Sequence, residues 1–72
     1  MSAHSGALEA VERVLNRGGE AADVLTAVAA ILGGRLGREV RVAADGFDVA
    51  GELDHDGRAL VERVTLLASP YF

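Results

Sequence analysis

Apolar residues recur along the chain first at helical and then at strand spacing, and the changes of period divide it into five elements. From Ala7 to Arg17, ALEAVERVLNR sets Leu8, Val11, Val14 and Leu15 on one stripe and keeps Glu9, Glu12 and Arg13 off it, which predicts an amphipathic helix. Ser5 or Gly6 can cap its start, Arg17 suits the negative end of the helix dipole, and Gly18-Gly19 offer the positive φ that stops it.

A second helix is predicted through GEAADVLTAVAAILGG, where Ala21, Val24, Leu25, Val28 and Leu32 fall at helical intervals and Glu20 and Asp23 occupy the first turn. Gly33 and Gly34 are expected to end it. Ala22, Ala27, Ala29, Ala30 and Ile31 spread apolar character around its other faces, so this helix is expected to be central or to lie at an interface.

In REVRVAADGFDVAGEL the period shortens to two: Val40, Val42 and Ala44 alternate with Glu39, Arg41 and Ala43, and Phe47, Val49 and Leu53 with Asp48, Ala50 and Glu52. Asp45-Gly46 suits a two-residue type I′ turn, so the expected hairpin sets Ala44 opposite Phe47, Val42 opposite Val49 and Val40 opposite Gly51. Arg41 then lies diagonal to Asp48 and Glu52. DGRALVERVTLLAS predicts a third helix capped by Asp56, with Leu60, Val64 and Leu67 in line, Val61 and Ala68 beside them, and Pro70 ending it. The pattern is that of a small α+β domain in the order α-α-β-β-α, a two-stranded antiparallel hairpin packed against helices. One domain is expected over residues 1–72, with 1–5 disordered.

Composition adds a constraint on stability. A chain of 72 residues buries only about 60% of its unfolded surface, which makes a lone core marginal. The only aromatics are Phe47, Tyr71 and Phe72, so Ala, Val and Leu must build the interior. The absence of cysteine removes disulfides, thiolate zinc and iron–sulfur sites, and a thiol nucleophile. Self-association is therefore the expected way of completing the domain. Eleven acidic residues against seven arginines give a net charge of −4, which argues against nucleic acid and anionic membranes as partners. No apolar run approaches the ~20 residues of a membrane span, and MSAHSGAL lacks the basic start and apolar centre of a signal peptide. The expectation is a cytoplasmic protein.

Several short motifs invite a chemical reading. In ELDHDG, Glu52, Asp54 and Asp56 alternate before Gly57 as in a calcium loop, but position twelve of that loop is Arg63 instead of a bidentate glutamate. The segment reads better as a turn into the third helix, and no metal or cofactor is assigned. His55 stands between Asp54 and Asp56 as an exposed loop histidine, and His4 has no evident partner. Gly34-Arg35-Leu36-Gly37, followed by Val40, has the spacing of the G-x-x-G loop of RNA-binding KH domains. That loop joins two helices, whereas here a strand follows, so it reads as a helix terminator. A helix before it and a strand after it are also the reverse of a dinucleotide fingerprint. Ser2, Ser5 and Ser69 are all terminal, so no sheltered nucleophile is available and no enzyme is expected.

Residues 21–68 resemble the beginning of a GAF domain of bacterial regulators. Such domains run a helix into an LLGR-V-V hairpin carrying DG and A, matched here by Leu36-Gly37-Arg38-Glu39-Val40, Asp45-Gly46 and Ala50. RALVERVTLLAS is similar to the family's last helix, which packs beside the first and often dimerises. The resemblance implies a signalling lineage and helix-mediated dimerisation. The chain departs from the family in lacking the central strands and helices between Leu53 and Arg58, a cysteine for a bilin, and any assignable cyclic-nucleotide pocket. It is also expected to be a fragment, because SPYF ends on two aromatics that need cover.

The functional expectation is a non-enzymatic regulatory or signalling module acting through a homodimer or a larger protein partner. Val24, Val28, Leu66, Tyr71 and Phe72 are the candidate interface residues, Leu66 because it lies off the Leu60, Val64, Leu67 stripe. The rival readings are a small-ligand or metal sensor using the 52–57 loop, and a nucleic-acid binder using Arg35, Arg38 and Arg41.

Overall fold

A computed structural model describes residues 4–72 as three helices and a two-stranded sheet in the expected order. Helix α1 spans Ser5–Arg17 and α2 spans Ala21–Leu36; strands β1 (Val40–Val42) and β2 (Phe47–Val49) form an antiparallel hairpin; α3 spans His55–Ala68 and runs into a 3-10 turn at Ser69–Tyr71. The α+β class and the element order are those the periodicities predict.

One core joins the three helices. Val11 of α1, Val24, Val28 and Leu32 of α2, and Leu60 and Val64 of α3 form its buried centre, with Val40 and Phe47 of the hairpin packed against it. Helix α2 is central, touching α1, α3, β1 and the 3-10 turn, which is why its apolar residues are not confined to one stripe. At the far end the two terminal aromatics fold back on the chain. The Tyr71 hydroxyl donates to the Leu15 carbonyl at 3.1 Å, and the Phe72 ring meets Phe47 edge-on with centroids 5.2 Å apart. Cover for SPYF thus comes at least in part from the chain itself.

Four local expectations are corrected. Helix α2 does not stop at Gly33-Gly34 but continues to Leu36, and Gly37 ends it in the left-handed conformation (φ 66°, ψ 31°), its N–H donating to the Gly33 carbonyl at 2.9 Å. Gly33 has a tertiary reason to be glycine: a Cβ there would lie 3.0 Å from the Arg38 carbonyl oxygen. The hairpin pairs Val42 with Phe47, Arg41 with Asp48 and Val40 with Val49, two residues from the expected register. Ala43 N–H donates to the Gly46 carbonyl, so Ala44-Asp45 form the turn, and Gly46 has no positive φ, which a type I′ turn at Asp45-Gly46 would require. A shift of two keeps every side chain on its predicted face.

The cap of α3 is Asp54 rather than Asp56. Finally, His4 and Ser5, expected in a disordered lead, are the cap position and first residue of α1, while residues 1–3, with Ser2, lie outside the described residues. Among the described residues no helix is long and apolar enough to cross a membrane.

Candidate functional site

The 52–57 loop is built around its helix cap. One oxygen of the Asp54 carboxylate, Oδ1, accepts the Gly57 N–H at 2.7 Å, satisfying one of the donors that a helix start leaves open. Gly57 is itself buried, and a Cβ there would sit 3.0 Å from the same oxygen, so glycine is what lets the carboxylate close over the first turn. Replacing Asp54 by alanine is expected to lower stability by about 1 kcal/mol. A urea titration that gave no change would show that the cap carries no weight. Among the described residues no three His, Cys, Asp or Glu side chains are grouped to hold a metal ion.

The same loop lines a cleft of about 460 Å³ with the end of α2. Arg35, Leu36, Arg38 and His4 contribute to it from one part of the chain, and Glu52, Leu53, Asp54, Asp56 and Gly57 from the other. His4, for which the sequence offers no partner, accepts a hydrogen bond at Nδ1 from Arg35 Nε at 3.1 Å. This contact joins residues 31 positions apart, so local pattern gives no signal of it. His55 is exposed as the first residue of α3 and does not line the cleft.

The three arginines of the nucleic-acid reading do not form one basic face with nothing opposing it. Arg41 Nε lies 3.2 Å from Glu39 in an ion pair, and Arg41 stands opposite Asp48 in the strand register. Arg35 engages His4, and Arg38 lies over Gly51, where a Cβ would be 2.6 Å from its guanidinium. Gly34-Arg35-Leu36-Gly37 forms the end of α2 and its glycine cap.

The candidate interface residues separate into two groups. Val24 and Val28 are 3% and 0% exposed and belong to the core of the single chain, so their apolarity is spent there. Tyr71 and Phe72 are half-buried in the contacts to Leu15 and Phe47. Leu66 is different, at 72% exposed on the face of α3 turned away from Leu60 and Val64. Val42, in the last strand pair before the turn, is also exposed, at 41%. Pattern alone misses a groove of about 260 Å³ between β2 and α3, which depends on how closely the two elements approach.

Comparison of the chain with protein-family models, with curated proteins and with solved structures finds no match.

Proposed function

We propose that the chain is a non-enzymatic regulatory or signalling interaction module, acting in the cytoplasm by docking on a second copy of itself or on a partner protein. Leu66 carries this reading. At ~100° per residue it lies roughly 200° around α3 from Val64, almost opposite the core. Its neighbours on that face, Ala59, Glu62 and Arg63, are exposed. Small and charged residues around one large apolar side chain suit an anchor with a polar rim. Burying a leucine contributes about 1.5–3 kcal/mol, whereas a standard interface removes about 800 Å² per partner, so Leu66 would be the centre of the contact rather than the whole of it. The GAF-like resemblance of residues 21–68 supports the signalling assignment.

Light scattering at two concentrations tests self-association. The wild-type chain is expected to gain mass at the higher concentration, and Leu66→Ser to remain at the mass of one chain, with a urea midpoint equal to that of wild type at a dilution where both are single. A wild-type chain of single-chain mass at both concentrations would remove the homodimer.

A further inference from the structure

A second surface lies at the outer edge of β2. Ala43 N–H donates to the Gly46 carbonyl at 2.8 Å and Ala50 N–H to the Glu39 carbonyl at 2.9 Å, so Gly46, Asp48 and Ala50 turn their backbone toward β1. Successive residues of an antiparallel strand alternate in this respect, so Phe47 and Val49 direct their N–H and C=O groups away from β1. Among the described residues the sheet has no third strand to meet them. Such an edge is a template for another strand. Beside it runs the groove between β2 and α3, where Phe47, Val49, Leu53 and Val61 are apolar and Asp48, Arg58 and Glu62 are charged.

We propose that this edge takes up an extended segment of a partner protein in which one basic residue stands between two apolar ones, added as a third strand. The inference rests on the interaction-module reading and gives it a partner chemistry at a surface separate from Leu66. On the inner edge the chain already shows what matches Phe47-Asp48-Val49: Val40-Arg41-Val42, with Arg41 opposite Asp48 and the valines opposite Val49 and Phe47. Arg41 forms its ion pair with Glu39, and among the described residues no ion pair engages Asp48, which is exposed. A cation arriving from the open side therefore has a carboxylate to meet. Arg58 is outnumbered on the rim by Asp48 and Glu62, and the net charge of −4 favours a basic over an acidic segment.

A folded second copy is a poor donor of this segment. Its own Val40-Arg41-Val42 strand is preceded by Arg38, whose N–H donates to the Gly33 carbonyl at 3.3 Å and whose carbonyl lies against Gly33. Helix α2 thus holds the start of that edge.

The test uses the ¹⁵N-labelled full chain and two short synthetic peptides, one containing Val-Arg-Val and one Val-Glu-Val. In the free protein the Phe47 and Val49 amides are expected to exchange quickly with solvent. The Val-Arg-Val peptide is expected to shift them saturably together with Val61 and to slow their exchange. The Val-Glu-Val peptide should bind about tenfold more weakly, a difference of one decade in Kd, and Asp48→Asn should abolish the discrimination while leaving the urea midpoint in place. Protected Phe47 and Val49 amides in the free chain, or no saturable shift at this edge, would overturn the inference. If the peptide fails while Leu66→Ser still abolishes self-association, the edge is refuted and the module reading stands; if both fail, the edge and the homodimer are both refuted.

Discussion

Leu32→Ala is expected to leave a large fraction of the chain unfolded at room temperature. Leu32 is 0% exposed and shares the core centre with Val11, Val24, Val28, Leu60 and Val64, contributed by all three helices. Deleting a buried leucine side chain to alanine costs about 2–5 kcal/mol, from lost transfer free energy and the cavity left behind. A core in a chain of this size rarely supplies more than about 3–5 kcal/mol of net stability, so the loss is comparable with the whole. Circular dichroism through a urea titration reads the result, with Leu66→Ala as the comparison, which at a dilution where the chain is single should stay within about 0.5 kcal/mol of wild type because its side chain is then in water. A Leu32→Ala midpoint equal to that of wild type would mean that this interior is not the source of stability. Similar losses at Leu32 and Leu66 would instead mean that Leu66 is covered in solution.

That comparison also bears on why the chain would associate. Few bulky residues in a short chain led to the expectation that the domain is completed by dimerisation. Yet Leu32, Val11, Val28 and Val64 are fully buried by one chain alone, and among the described residues the large apolar side chains left exposed are Val42 and Leu66. Any self-association would therefore cover specific surface residues and not the core.

What was legible in the sequence follows from what periodicity measures. The stripes Leu8, Val11, Val14, Leu15 and Leu60, Val64 gave the helices and their inner faces because a helical period fixes the side that is apolar. Alternation likewise gave the two faces of the hairpin. It could not give the register, since sliding the strands by two residues leaves the alternation unchanged, and the choice between turns at Asp45-Gly46 and Ala44-Asp45 was made by backbone conformation. Gly33 looks like a helix stop when only neighbours in sequence are considered, whereas its role is to admit the Arg38 carbonyl. Apolarity also could not separate core from surface among Val24, Val28 and Leu66. The phase of Leu66 along α3 could, because a residue nearly opposite the stripe cannot join the same core. The cleft at His4, Arg38 and Asp54 and the groove beside β2 depend on the approach of elements far apart in sequence, for which a single chain carries no periodic signal.

Two glycine-to-alanine substitutions are expected to move stability in opposite directions. Gly18 ends α1 with φ 70° and ψ −157°, a region of backbone space that is essentially restricted to glycine. The nearest atom to a Cβ at Gly18 is the Tyr71 hydroxyl at 4.0 Å, so Gly18→Ala meets no steric obstacle and its effect is that of the backbone alone. Forcing alanine into this conformation costs about 1–3 kcal/mol, and any relaxation would turn the link between α1 and α2 and disturb the Tyr71 bond to Leu15. Gly34 lies inside α2, is exposed and has no positive φ, and a methyl group added there would find no atom within 4 Å. Alanine there should stabilise the chain by about 0.5–1 kcal/mol, because glycine loses more backbone freedom on entering a helix. Urea midpoints at constant m-value separate the two: Gly18→Ala should shift down and Gly34→Ala up. A neutral Gly18→Ala would show that α1 does not end in this conformation, and a destabilising Gly34→Ala would show that α2 breaks before Leu36, as the glycine pair alone would suggest.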